Sequence, residues 1–232
     1  MQQNQTSVPK PVTKTKNDLT KKLYIFSGLG ADERAFQRLD FSGFSPTFIK
    51  WIVPQEKETI EHYTTRILEQ IKTTKPTLIG LSFGGIIAIE VSKQIDTEKV
   101  ILIASAKENT EIPFYYRFAG HLGFHNLLPT RLLKSSNFMT NWFFGAKSTF
   151  DKQILRQILM DTDPVFLKWA IDKVARWKNQ KLPKNLFHIH GTSDKILPFR
   201  YVNCNGAIKN GGHLMTLNRA DELNNILRQQ LQ

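Results

Sequence analysis

Six short apolar runs, separated by stretches of helical periodicity, constrain this chain more than any other feature of its sequence. The runs are LYIF (23–26), PTFIKWI (46–52), PTLIGLS (76–82), KVILIAS (99–105), LFHIH (186–190) and the weaker GAIK (206–209). Most are β-branched or aromatic and nearly continuous, the pattern of strands buried on both faces of a parallel sheet. Amphipathic segments lie between or after them, at 32–39, 59–72, 84–94 and 220–231. Strands alternating with helices at this spacing predict an α/β fold with an open, doubly wound, mostly parallel sheet. No internal repeat is visible.

One segment breaks the rhythm. Residues 107–182 hold no convincing strand but many aromatics, among them Tyr115, Tyr116, Phe138, Trp142, Trp169 and Trp177. The later part reads as helix, with Ile154, Ile158 and Leu159 on one face and then Phe166, Trp169, Ala170 and Val174. A plain crossover between parallel strands needs far fewer residues. An all-helical insertion there is expected to cover the carboxyl edge of the sheet, where ligands bind in open α/β folds. The predicted organisation is a basic tail over 1–22, a core made of 23–106 and 183–232, and a helical cap over 107–182.

The tail carries five Lys against one Asp and little apolar surface, which predicts disorder. It lacks the apolar core of a secretory signal, and no run reaches the roughly 18 apolar residues of a membrane span. A cytoplasmic location is therefore the expectation. The single cysteine, Cys204, leaves no internal disulfide to form. The net charge of +12 raises nucleic acid as a partner. Its scatter argues otherwise, since no Lys/Arg run exceeds two residues and no nucleic-acid motif interleaves the charges. Residues 107–182 hold twelve Lys or Arg against six Asp or Glu, which suits either a solvated basic surface or an anionic substrate or carrier.

Chemistry is carried first by Gly80-Leu81-Ser82-Phe83-Gly84. A G-x-S-x-G string also arises by chance, so its context decides. It follows an apolar run directly and precedes Gly85-Ile86-Ile87-Ala88-Ile89, the start of a helix. A strand–serine–helix turn presents the hydroxyl from a strained backbone, with glycines where neighbouring chains crowd out a Cβ. It also sets the serine at a helix N-terminus, where the dipole favours developing negative charge.

A serine needs a base. Of six histidines, His188 and His190 fall in a strand, His62 on a helix, and His121 and His125 in the insertion. His213 stands out in Asn210-Gly211-Gly212-His213, where paired glycines let a loop carry the imidazole over the sheet edge. The acid that orients it should follow a strand and lie between serine and histidine. Asp194 in the His190–Pro198 stretch meets both conditions, and Glu108 is the weaker candidate. Donors for an oxyanion are expected from the N–H of Phe83 and of Leu29 in Ser27-Gly28-Leu29-Gly30. That Gly-x-Gly is not a dinucleotide fingerprint, because Glu33 stands at the third glycine position.

Taken in order, SGLGADERAF, GLSFGG, HGTSDKILP and NGGHLM resemble the α/β-hydrolase superfamily over nearly the whole chain after the tail. The resemblance implies a nucleophile at Ser82, an acid at Asp194, a base at His213, oxyanion donors at Leu29 and Phe83, and a cap at 107–182. The chain departs from the family pattern at Ser27, where histidine is usual, and at Leu81, where histidine is common. Too few residues precede Leu23 for the two leading antiparallel strands, so a trimmed six-stranded sheet is expected. Asp194 and His213 stand only 19 residues apart, which implies an abbreviated connection.

The expected function is a serine hydrolase that cleaves a small-molecule carboxylic ester or thioester through an acyl-enzyme. A thioesterase acting on acyl groups borne by CoA or an acyl carrier protein is the alternative. A hydrolase-fold binding protein without turnover is the rival from another class. No metal-ligand cluster is evident, and no cofactor is expected.

Overall fold

The computed structural model describes residues 21–123 and 134–232. The tail predicted for 1–22 falls almost wholly outside the described residues, as does His125. Six strands form one sheet: β1 (Lys22–Phe26), β2 (Ser45–Phe48), β3 (Thr77–Leu81), β4 (Lys99–Ile103), β5 (Leu186–Gly191) and β6 (Gly206–Ile208). Their order is β2-β1-β3-β4-β5-β6, and every neighbouring pair is parallel. The described helices are α1 (Ile60–Ile67), α2 (Phe83–Ser92), α3 (Phe114–His121), α4 (Phe138–Phe144), α5 (Thr149–Asp161), α6 (Pro164–Arg176), α7 (Met215–Asn218) and α8 (Ala220–Leu231).

The sheet is apolar on both sides because alternate strand residues serve opposite faces. Tyr24, Phe26, Leu78, Val100 and Leu102 pack with Ile86, Ile89, Tyr63 and Ile67 of α2 and α1. Leu23, Ile25, Ile79, Ile101 and Ile103 pack on the other side against Leu223, Leu227 and Leu231 of α8. The chain runs outward from β1 to β2 and then returns to place β3 on the opposite side of β1. That reversal of strand order opens a crevice above the carboxyl ends of β1 and β3.

Several predicted elements are shorter than expected. The segment 32–39 forms a single 3-10 turn, Glu33–Phe36, which brings Ala35 and Phe36 into the core and leaves the rest as loop. The run 46–52 pairs only as far as Phe48. Beyond the Ile49 amide, which donates to Ile25 at 2.9 Å, the chain turns so that Trp51 Nε1 reaches the Gly28 carbonyl at 3.3 Å. The helix expected over 59–72 starts at the Thr59 N-cap and tightens into a 3-10 turn at Leu68–Gln70. The terminal helix spans the predicted residues, and β5 joins β6 with only the 3-10 turn Phe199–Tyr201 between them.

Among the described residues, 107–182 is helical without a strand, and it lies between β4 and β5. Helix α6 packs on α2 and closely on α3. A Cβ on Gly120 of α3 would strike that of Ala175. Helix α5 uses two faces where one was expected. Ile154 and Ile158 join the core beneath the sheet edge, while Leu155 and Leu159 cluster with Ala146 and Leu214.

Candidate active site

Ser82 stands between β3 and α2 with φ 52° and ψ −122°, a conformation that L-residues rarely adopt. Strain of this kind costs about 1–3 kcal/mol and persists only where the surroundings impose it. Here they do. The Ser82 N–H donates to Ile103 at 2.9 Å, its carbonyl accepts from Gly85 N–H at 2.9 Å, and Ser105 Oγ donates to the same carbonyl at 2.6 Å. The glycine pattern has a steric origin. A Cβ on Gly80 would meet the backbone of Gly84 and Gly85, and one on Gly84 would meet the carbonyls of Phe26 and Ser27. Ser105 was not singled out from the sequence. Its only signal is a small polar residue at the end of an apolar strand beside the serine turn.

His213 reaches the hydroxyl from the loop between β6 and α7. Its Nε2 lies 2.8 Å from Ser82 Oγ and its Nδ1 lies 2.8 Å from Asp194 Oδ2. An ionised carboxylate only accepts, so Nδ1 carries the proton and Nε2 is free to accept from the serine. Gly211 stands where two turns approach closely, with a Cβ there 3.1 Å from the Gly191 Cα. A Cβ on Gly191 would collide with the Gly211 carbonyl, and Ser193 N–H donates to that carbonyl at 2.9 Å. The two turns therefore touch directly. The Phe144 ring at the end of α4 lies 5.7 Å from the imidazole, and its carbonyl accepts from Leu214 N–H at 3.1 Å.

Asp194 is 4% exposed, and its second oxygen accepts from Ile196 N–H at 2.8 Å and Leu197 N–H at 2.9 Å. Burial alone would raise this carboxyl. The facing His213, His190 and the Leu197 amide outweigh it and hold the group below the ordinary carboxylate range. Glu108 takes no part in this arrangement, and its carboxylate accepts from Thr110 Oγ1 at 2.9 Å. His62 pairs with Glu58 on α1, and His121 ends α3.

His188 and His190 are buried strand residues, as expected. His190 Nε2 lies 2.8 Å from the Leu197 carbonyl and 3.6 Å from Asp194, so it braces the turn that holds the acid. Burial pushes His188 down from the ordinary 6.5 to about 3. An unfolded chain would therefore bind a proton at this position that the native one refuses, and stability is lost as pH falls below 6.5. Between pH 7 and pH 5, His188 should cost the native state about 2 kcal/mol. Urea unfolding of His188→Gln is expected to lack that increment, and an acid dependence equal to wild type would contradict it.

The turn that carries Leu29 follows β1. It is closed by Ala31 N–H donating to the Gly28 carbonyl at 2.9 Å and by the Ser27 hydroxyl donating to Ala31. A Cβ on Gly28 would stand 3.7 Å from Ser82 Cβ, so this turn lies against Ser82. Leu29 and Phe83 both border the cavity above Ser82, and among the described residues neither N–H has an acceptor. Gly30 has φ 67°, and a Cβ there would fall on the Thr162 side chain at the α5–α6 junction. Thr162 Oγ1 donates to Ile158 at 2.7 Å and lies 3.3 Å from the Gly30 carbonyl, a contact between the helical insertion and the turn that no local pattern signals.

That cavity has a volume of about 520 Å³. Leu155, Leu159, Leu167, Ile171 and Val174 form much of its wall, with Ser82, His213 and Tyr116 as its chemically active or hydroxylated side chains and no charged residue in the lining. Among the described residues, no cluster of His, Cys, Asp and Glu is placed to hold a metal ion.

No family model matches the sequence, and no curated protein matches it. Solved structures match its shape over nearly its whole length. A protein described as a putative lipase from Acinetobacter baumannii is 15% identical, with a TM-score of 0.66 over 91% of this chain and 83% of that one. An enol-lactonase from Burkholderia xenovorans is 16% identical, with a TM-score of 0.66 over 93% of each. A bromoperoxidase from Bacillus anthracis is 19% identical, with a TM-score of 0.63 over 91% and 92%.

Proposed function

From a chain that has the α/β-hydrolase fold, we propose a serine hydrolase that cleaves a carboxylic ester or thioester with an apolar acyl group. The observation that carries this reading is the imidazole of His213, set 2.8 Å from both a strained serine hydroxyl and a buried aspartate. A structural serine or histidine has no need of such a chain of hydrogen bonds. The rival reading, a binding protein without turnover, leaves the strain at Ser82 without a purpose.

In the proposed reaction, His213 Nε2 takes the Ser82 proton as Oγ attacks the carbonyl carbon. The C=O π pair moves to oxygen, which rests between the N–H groups of Leu29 and Phe83. Each such donor is worth about 3 kcal/mol in transition-state stabilisation. Asp194 holds the Nδ1–H tautomer and balances the imidazolium. Collapse of the tetrahedral species breaks the bond to the alcohol or thiol, which leaves with the proton from Nε2. Water, deprotonated by the same nitrogen, then attacks the acyl-enzyme, releasing the acid and restoring Ser82 Oγ–H. We propose that residues 107–182 act as a cap that shapes the acyl site. The same geometry serves an oxygen ester or a thioester.

Labelling with a fluorophosphonate probe tests the reading at its centre. Wild type should label and Ser82→Ala should not, and equal labelling of both would overturn the assignment. The acyl site makes a separate prediction. Ala119→Phe fills part of the cavity wall contributed by α3. It should reduce kcat/KM for long-chain p-nitrophenyl esters by about 10–100-fold while changing the acetate ester only a few-fold. An unchanged chain-length profile would remove this cavity as the acyl site.

A further inference from the structure

Helix α3 turns Tyr116, Ala119 and Gly120 toward the cavity, and among the described residues its opposite face has no cover. Phe114, Phe118 and Leu122, spaced by four residues, form one stripe with exposures of 63%, 64% and 54%. Helix α4 presents Phe138, Met139 and Trp142 at 85%, 64% and 51%. The loop that carries Asp194 links these helices. The Lys195 ammonium lies 3.5 Å from the Trp142 ring centre, Arg200 lies over Tyr201 at 4.9 Å, and Tyr201 meets Tyr115 on α3 at 6.5 Å. Ile196 and Leu197 of the same loop line the cavity, so this loop joins the exposed rings to the cavity wall.

Charge follows the same boundary. The described residues 112–123, 134–150 and 195–220, which supply these helices and this loop, contain seven Lys or Arg and not one Asp or Glu. We propose that this face docks on a fluid bilayer containing anionic phospholipid, delivering acyl esters from the lipid phase to the cavity. Exposed Phe and Met side chains suit the acyl boundary, Trp and Tyr suit the interfacial layer, and Lys195 and Arg200 packed beside the rings suit the headgroup phosphates. An acidic carrier protein would satisfy the cations but needs a groove matched to the protruding Phe138. A bilayer needs no such match. Among the described residues no helix is long and apolar enough to cross a membrane, so the contact is peripheral. Docking goes beyond the hydrolase reading, because it does not require Ser82.

Co-sedimentation of the full chain with phosphatidylcholine vesicles, with and without phosphatidylserine, tests the proposal. Wild type and Ser82→Ala should both bind the phosphatidylserine vesicles, and binding should weaken as salt rises. The double variant Phe118→Ser/Phe138→Ser should lose about tenfold or more in partitioning, and Arg200→Glu at least about fivefold. Both variants should keep the thermal midpoint and the p-nitrophenyl acetate activity of wild type. Absence of vesicle binding, equal binding by the double variant, or capture by an acidic acyl carrier protein in place of vesicles would overturn the docking surface. Loss of ester turnover in wild type with vesicle binding intact would instead count against the hydrolase reading.

Discussion

Replacing Ser82 with Ala is expected to lower kcat for any ester the protein turns over by about 10⁴–10⁶, with KM and the thermal midpoint near wild type. Among the described residues the hydroxyl makes one hydrogen bond, to His213, at a site open to the cavity. Its removal costs the fold about 1 kcal/mol at most. The strained backbone at φ 52° stays as it is, since Ala carries a Cβ as Ser does. What disappears is the covalent route, leaving the residual rate supplied by the Leu29 and Phe83 donors and by substrate binding. Steady-state kinetics, with the thermal midpoint as control, checks the expectation. An Ala variant within tenfold of wild type would mean that Ser82 is not the nucleophile.

Asp194→Asn should cost about 10⁴ in kcat while leaving the site in place. The residue has two separate duties, one for each oxygen. Oδ1 accepts from Ile196 and Leu197, and Oδ2 accepts from His213. An asparagine keeps the first by presenting its carbonyl to the two amides. Its NH₂ then faces His213 Nδ1 and can only donate, which moves the imidazole proton to Nε2 and leaves nothing to receive the proton of Ser82. The pH profile carries a second signature. Because the carboxyl is held below the ordinary carboxylate range, the stability it contributes is present above about pH 4, the unfolded value, and is lost as pH falls through the lower folded value. The variant should lack that acid-side loss. A variant with near wild-type kcat would assign the orienting role elsewhere.

The serine turn was legible from sequence because steric exclusion writes itself as glycine. Gly80 and Gly84 stand where another backbone leaves no room for a Cβ. The closeness of Asp194 to His213 was suggested by chain order and by the glycines before His213, and the loops that carry them touch at Gly191 and Gly211. Helix α8 could be bounded because its apolar residues Leu223, Leu227 and Leu231 keep a helical period against the sheet. The segment 32–39 carried a similar period but forms only a 3-10 turn, because burying Ala35 and Phe36 already satisfies it. Partners distant in the chain left no local mark. Ser105 beneath the serine turn, Thr162 against Gly30 and His190 behind Asp194 are defined by what they touch. Helices α3 and α4 were obscured by aromatics on faces that point away from the core.

The helix-free link between β5 and β6 also bears on how the site is assembled during folding. Asp194 and His213 are separated by 19 residues, and Thr192–Ile208 and Ser193–Gly211 hydrogen bonds close that stretch on itself. Ser82 lies 131 residues from its histidine. Short-range contacts form at lower entropic cost than long-range ones, so the Asp194–His213 pair belongs to a local unit that can close early. The serine meets it only once β3, β4 and β5 are laid side by side. The site as a whole, unlike the Asp194–His213 pair, is therefore complete only when the long-range pairing of the sheet is in place.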